Sequence, residues 1–235
     1  MSRLIGFSTG ALAYAEFERA LRMLRSRPIH AVELSALRQP ELAPLTNSLD
    51  RLDLSQFSYI AFHAPSQIEP SAEADVVGRL EGVAQRGWPV ILHPDAISDY
   101  SLWRRLGSAL CIENMDRRKP AGRTVAELES VFDDLPEAGF CFDIGHVRQV
   151  DSTMTEAYFL LRHFGSRLRQ LHVSEVNTRS THDPLSYGCI LAFRQVAEFI
   201  PEHVPLILET PVPEDRIESE MERAREAFPV LSLST

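Results

Sequence analysis

Short apolar runs alternate with amphipathic segments along the whole chain. Each apolar run is three to five residues long, the length of a β-strand, and the segments between them repeat their apolar residues at helical spacing. Parallel neighbouring strands need a helical crossover, so this alternation predicts a parallel sheet. The predicted strands are Leu4–Ser8, Ala31–Leu34, Tyr59–Phe62, Pro89–Leu92, Leu110–Ile112, Phe140–Phe142, Leu168–Leu171 and Leu206–Leu208.

The helical segments carry several local start and stop signals. Pro44 is expected to break the second helix, because proline lacks a backbone N–H. Ser98 is expected to cap a short helix, and Thr124 with Glu127 forms a predicted capping box. A polar loop is expected from Ser174 to Tyr187. The predicted helices span 15–25, 42–49, 70–85, 98–106, 155–164, 190–199 and 214–228, with one more after Thr124.

Eight strand–helix units in 235 residues favour a closed (β/α)8 TIM barrel over an open doubly wound sheet. A single domain over residues 1–235 is expected, since no linker or low-complexity run interrupts the pattern. No Gly-x-Gly-x-x-Gly follows the first strand, which leaves dinucleotide binding with little support. In such a barrel the carboxyl ends of the strands converge on one mouth, where chemistry is expected.

Acidic residues and histidines stand at the ends of seven of the eight predicted strands. A charged group there costs several kcal/mol unless it is paired or coordinated, and a shared cation would satisfy the whole set. Imidazole and carboxylate are suitable ligands for divalent metals. A metal site at the C-terminal mouth is therefore predicted. The seven residues are Glu33, His63, His93, Glu113, Asp143, His172 and Glu209.

Composition narrows the range of partners. The formal net charge of −9 and pI near 5.4 argue against a broad basic face, so DNA is a possible substrate that the charge does not support. Three cysteines without a Cys-x-x-Cys do not form a disulfide framework. With no stretch of membrane-spanning length and no targeting segment, a cytoplasmic protein without a membrane partner is expected. Nothing in the pattern indicates an oligomeric state.

The strand-end phrases together resemble the xylose-isomerase-like barrel superfamily, and within it the endonuclease IV group (apurinic endonuclease family 2). The resemblance spans nearly the whole chain in one order, although each phrase is short. The phrases are His63-Ala-Pro, His93-Pro, Glu113-Asn, Asp143-Ile-Gly-His146, Leu171-His172, His182 and Leu208-Glu209-Thr-Pro.

That resemblance implies a phosphoester hydrolase with two or three divalent ions, zinc first and manganese, iron or cobalt as alternatives. One ion would be held by His63, His93 and Glu113, and a second, bridged by Glu113, by Asp143, His172 and Glu209. Glu209 would also orient the nucleophile. A third ion would lie on His146 and on an Asp-x-His pair that here reads Ser180-Thr181-His182.

Two departures affect the expected substrate. The aspartate of the third site is replaced by Ser180, and the tyrosine expected after His63-Ala-Pro is replaced by Ser66-Gln67. Both weaken the case for DNA and leave a two-metal centre intact. A small phosphoester or sugar substrate is therefore expected, with DNA left as a possibility.

A second resemblance, to ketose 3-epimerases, rests on His172-Val-Ser-Glu175-Val-Asn177. It implies a sugar or sugar-phosphate substrate and one metal held by Glu113, Asp143, His172 and Glu209. Glu113 and Glu209 would then exchange a proton with the substrate. Arg179 lies one residue from the expected substrate-binding arginine, and Glu33 is expected to contact substrate or to form a salt bridge across the mouth.

A third interpretation is a barrel that binds a metal or a sugar without turning it over. The missing aspartate at Ser180 supports it, and the nearly complete ligand set argues against it.

Overall fold

Eight parallel strands close into a barrel in the computed structural model, which describes residues 3–229. Each barrel strand pairs with its neighbours in the sequence, and the last pairs with the first, Ile5 lying beside Leu206. The predicted (β/α)8 fold is confirmed; positions 1–2 and 230–235 lie outside the described residues. The barrel strands are β1 (Ile5–Ser8), β2 (Ala31–Ser35), β3 (Tyr59–His63), β4 (Val90–Leu92), β5 (Leu110–Glu113), β6 (Gly139–Asp143), β7 (Leu168–Val173) and β10 (Leu206–Leu208). A separate pair is formed by β8 (Glu175–Val176) and β9 (His182–Asp183).

Helices surround the barrel. The predicted helix over 15–25 corresponds to α2, and the short α1 before it was not predicted. The two helices are separated at Tyr14, whose φ of 52° is left-handed. The α-helices are α1 (Thr9–Ala13), α2 (Phe17–Leu24), α3 (Gln39–Thr46), α4 (Glu73–Ala84), α5 (Tyr100–Trp103), α6 (Val125–Asp134), α7 (Ile144–Val150), α8 (Thr155–Phe164), α9 (Tyr187–Arg194) and α10 (Ile217–Ala227).

The prediction that Pro44 breaks a helix is wrong, because α3 passes through Pro44. Proline forfeits one backbone hydrogen bond in this short helix. The hydroxyls of Thr46 and Ser48 donate to the carbonyls of Leu42 and Pro44, both at 2.8 Å, and so satisfy the C-terminal end. Helix α3 begins and ends about three residues earlier than predicted.

Two predicted caps differ from the observed ones. Asp99, not Ser98, caps α5, and its carboxylate accepts from Ser101 N at 2.9 Å. Thr124 does accept from Glu127 N at 3.3 Å, but the Glu127 carboxylate accepts from Arg123 N rather than closing the box on Thr124.

The loop after β7 is more ordered than predicted. Within the expected polar loop, β8 and β9 form a two-stranded antiparallel pair in which Val176 lies opposite His182. The hairpin places His182 beside the mouth. Helix α9 begins at Tyr187, three residues before its predicted start.

A small apolar cluster lies in the barrel interior below the mouth. Ala61, Ile91, Cys111 and Cys141 form a buried cluster separate from the main core between strands and helices. Each lies two residues before a predicted ligand, and strand side chains alternate between faces, so the ligands occupy the next interior layer towards the mouth. The cysteines are free and buried, as a small apolar role requires. Across residues 3–229, no helix combines the length and hydrophobicity needed to cross a membrane.

Candidate metal centre

A cavity of about 730 Å³ opens at the carboxyl ends of the barrel strands. Its floor carries most of the predicted ligands, while Asp143 and His172 lie fully buried beneath them. The predicted ligands that line the cavity are His63, His93, Glu113, His146, His182 and Glu209.

Four residues from four strand ends form the first ligand group. Glu113, Asp143, His172 and Glu209 each place one potential ligand atom within 4.8 Å of the others. His172 Nδ1 lies 3.3 Å from Glu113 Oε1 and 3.7 Å from Glu209 Oε2.

Two atoms of this group are buried without a hydrogen-bond partner, namely Asp143 Oδ2 and His172 Nδ1. Leaving such atoms unsatisfied costs about 1–3 kcal/mol each. Three carboxylates and one imidazole are also a donor set that divalent metals accept. The residues present therefore fit a metal ion.

His63, His93 and Glu113 form a second group whose ligand atoms also lie within 4.8 Å of one another. Glu113 Oε2 is 3.2 Å from His63 Nε2 and 3.4 Å from His93 Nε2, whereas Glu113 Oε1 faces His172. The two oxygens of Glu113 are thus divided between the groups. His63 Nδ1 donates to the Ala64 carbonyl at 2.7 Å, which leaves Nε2 free to act as a ligand.

His146 and His182 approach each other at the mouth, with ring centroids 5.5 Å apart. Among residues 3–229 neither belongs to a group of three potential ligands. His146 Nδ1 lies 2.9 Å from the Asn114 carbonyl, and His182 Nδ1 lies 2.9 Å from Ser174 Oγ. Ser180, at the position of the expected aspartate, accepts a hydrogen bond from Gln149 Nε2 at 2.7 Å.

Asp143 is fixed by the start of α7, a helix that the sequence did not predict. Its Oδ1 accepts from His146 N at 2.6 Å and caps that helix. Gly145 is needed for close packing, because a Cβ there would lie 2.5 Å from the Ser174 carbonyl. The Asn114 side chain accepts from Asp143 N and donates to Asp143 O, both at 2.8 Å.

Burial and mutual charge shift the carboxyl groups in different directions. Burial raises the pKa of Asp143 to about 6 and also raises the pKa of Glu209. Burial opposes ionisation of Glu113 as well, but the charges of His172 and His93 outweigh it and hold the pKa of Glu113 well below its usual range. Glu113 is therefore ionised at neutral pH.

The pKa values of the histidines also shift in different directions. Burial disfavours the charged form of His63, yet the hydrogen bond to Glu113 and the charge of Glu33 raise its pKa to about 9. Burial acts likewise on His146, and the charges of Asp143 and Glu113 raise its pKa to about 10. Burial prevails at His93 and His182 and lowers the pKa of both.

Two expected substrate contacts do not lie in the cavity. Glu33 pairs in register with Ala61, one interior layer below His63, because β2 continues to Ser35. Its carboxylate is fully buried against His172. Arg179 lies exposed in the hairpin turn and is not among the cavity-lining residues. Neither residue lines the cavity, so their expected contacts with a substrate stay predictions.

Three positively charged side chains on the cavity wall were not predicted from the sequence. Arg38, Arg118 and Lys119 come from loops after β2 and β5. Arg118 Nη2 donates to the Ser180 carbonyl at 2.9 Å, and Lys119 Nζ pairs with Asp95 at 2.7 Å. Only the run Arg117-Arg118-Lys119, three residues after Glu113-Asn114, could have drawn attention to this wall.

A closed parallel barrel with histidines and carboxylates gathered at its mouth defines the class of protein. The chain belongs to the xylose isomerase-like TIM barrel family, whose model matches residues 100–227. A search of curated proteins gave no match.

Several solved structures share the fold at low sequence identity. Endonuclease IV from Thermus thermophilus is 18% identical, with a TM-score of 0.61 over 94% of this chain and 96% of that chain. A xylose isomerase domain protein from Alicyclobacillus acidocaldarius is 13% identical, with a TM-score of 0.63 over 95% and 98%. A xylose isomerase-like TIM barrel protein from Mycobacterium smegmatis, solved in complex with magnesium, is 12% identical, with a TM-score of 0.59 over 96% and 98%.

Proposed function

We propose that this protein is a metal-dependent hydrolase of small phosphoesters that holds two divalent cations, zinc being the expected metal. The supporting observation is the pair of ligand groups that share Glu113, one oxygen facing each group. His63 and His93 complete one site, and the other is completed by Asp143, His172 and Glu209. Bound cations of this kind act as Lewis acids and lower the pKa of water.

The remaining chemistry is assigned to side chains that face the cavity. Glu209, only 9% exposed, would hold a cation and orient the attacking water. His182 lies at the rim, 3.5 Å from Glu209 Oε2. His182 and His146 are proposed to donate hydrogen bonds to phosphoryl oxygens.

Charge on the cavity wall favours a small anionic substrate. Arg38, Arg118 and Lys119 line the cavity, each paired with a carboxylate (Glu41, Asp116 and Asp95), and are proposed to contact a phosphate group, although the whole chain carries a net charge of −9. A local cluster of this size suits one phosphate better than a nucleic-acid backbone, which needs a longer basic surface. We therefore propose a small phosphoester rather than DNA.

The direct test is hydrolysis of simple phosphomonoesters and phosphodiesters by zinc-loaded protein. Glu113→Gln should abolish activity, because the amide cannot bridge two cations as a carboxylate does. Glu129→Gln, a change at a solvent-exposed residue of α6 paired with His163, is the matched control and should retain activity. Fully metallated wild-type protein that is inert towards the whole panel would contradict the proposal.

A sugar or sugar-phosphate isomerase or epimerase is the second candidate. The first ligand group alone could hold one cation, and it contains both Glu113 and Glu209, which lie 3.3 Å and 3.7 Å from His172 Nδ1. Those carboxylates could remove and return a proton at one carbon. Solvent deuterium entering a ketose at C2 or C3, and lost in Glu209→Gln, would support this candidate over the hydrolase.

A further inference from the structure

Glu33 stands at the centre of a buried hydrogen-bond network inside the barrel. Its Oε2 accepts from His172 Nε2 at 2.8 Å and from Gln170 Nε2 at 2.7 Å. Tyr59 donates its hydroxyl proton to Gln170 Oε1 at 2.6 Å. This Glu33 network, comprising Glu33, Tyr59, Gln170 and His172, joins strands β2, β3 and β7 one layer below the cavity floor.

The network selects which imidazole nitrogen of His172 faces the ligand group. An ionised carboxylate only accepts hydrogen bonds, so the 2.8 Å contact with Glu33 requires a proton on His172 Nε2. In a ring that has only this proton, Nδ1 carries the lone pair. It is also the atom that lies 3.3 Å from Glu113 Oε1 and has no hydrogen-bond partner although it is buried.

Without Glu33, the hydrogen bonds would favour the other tautomer of His172, with its proton on Nδ1. Gln170 Nε2 lies 3.0 Å from His172 Nε2 and is itself a donor. A lone pair on His172 Nε2 could accept from that amide, which would put the proton on Nδ1 and direct it at the carboxylates of the ligand group. Gln170 alone thus favours the tautomer that cannot bind a cation through Nδ1.

We propose that Glu33 is a positioning residue that holds His172 as the Nε2–H tautomer and thereby sets the cation affinity of the group formed by Glu113, Asp143, His172 and Glu209. Carboxylates hydrogen-bonded to ligating histidines act in this way at metal sites, and their loss costs roughly 10- to 100-fold in affinity. The inference rests on the metal-binding part of the proposed function and is independent of the reaction.

Zinc affinity, measured by competition with a chromophoric chelator, tests the inference in the full chain. Glu33→Leu should weaken one ion by roughly 10- to 100-fold and leave the ion at His63 and His93 in place. Glu33→Gln should lose less, because its amide oxygen can still accept from His172. Glu73→Gln is the matched control, since this buried carboxylate accepts hydrogen bonds from Ser98 N and Trp103 Nε1, outside the Glu33 network and the ligand groups, and wild-type affinity is expected.

Wild-type protein provides a second readout that does not depend on the folding of any variant. In protein loaded with ¹¹³Cd²⁺, the His172 ring should show coupling of cadmium to Nδ1 and a proton on Nε2. Coupling to Nε2, or a folded Glu33→Leu variant that binds both zinc ions with wild-type affinity, would overturn the inference. If wild-type protein shows the expected coupling and Glu33→Leu the expected loss of affinity, but the wild-type protein hydrolyses no phosphoester, only the proposed reaction is contradicted.

Discussion

His63 and His146 are protonated near neutral pH before a cation binds, because the pKa values are raised to about 9 and about 10 by neighbouring carboxylates. A cation at His63 must displace that proton, since only the neutral ring is a ligand. Apparent zinc affinity should therefore rise with pH up to about 9. The sign follows from the raised pKa, because protons compete most strongly below it.

Calorimetric titration with zinc at pH 7 in buffers of different ionisation enthalpy measures this release directly. At least one proton should leave per protein. Affinity that stays constant between pH 6.5 and 8.5, with no buffer dependence of the heat, would show that His63 does not bind the cation.

Arg118 tests the role of the cavity wall. Its side chain is 62% exposed, so Arg118→Ala should fold normally while removing one charge-assisted contact to a phosphate. The expected result is a KM for a phosphomonoester raised roughly tenfold, with kcat little changed. Arg117→Ala is the matched control, because this neighbouring arginine is also exposed but does not line the cavity. An equal effect of the two substitutions would contradict the assignment.

Helix α4 is joined to the loop before α5 by one buried carboxylate. Glu73, 2% exposed, accepts from Ser98 N at 2.8 Å, Asp99 N at 3.0 Å and Trp103 Nε1 at 2.7 Å. Glu73→Ala leaves three donors without a partner and should lower the free energy of unfolding by about 3–5 kcal/mol. Chemical denaturation measures the change.

Glu81→Ala is the control for that measurement. It lies on the same helix and pairs with Arg105 at the surface, so a loss below about 1 kcal/mol is expected. If Glu73→Ala is no more destabilising than Glu81→Ala, the Glu73 hydrogen bonds do not stabilise this corner of the barrel.

At the level of elements, the sequence predicted every barrel strand because buried parallel strands are continuous apolar runs. It did not predict α7, which is short, contains Gly145 and is held by the Asp143 cap rather than by an amphipathic face. It also placed Glu33 at a strand end, because Ser35 is too polar to read as strand. The pairing of β2 with β3 continues for two residues beyond Glu33, so Glu33 lies inside the barrel and not at its mouth.

Across the whole molecule, the predicted ligands meet because a closed barrel brings all its strand ends to one mouth. The strand-end residues predicted a shared metal site, and the division into two groups that share Glu113 was implied by the resemblance to the endonuclease IV group. The cavity wall was not predictable in the same way, since loop conformation decides that Arg118 reaches Ser180 while Arg179 remains outside. Loop residues of this kind set the substrate, whereas the barrel sets the position of the centre.

The number of zinc ions per chain, determined by elemental analysis after loading and desalting, tests the two-metal centre most directly. Wild-type protein should hold two ions. His93→Ala should hold one, because among the described residues His93 belongs only to the group with His63 and Glu113. A wild-type protein with a single ion that His93→Ala retains, or with none, would contradict the two-metal centre.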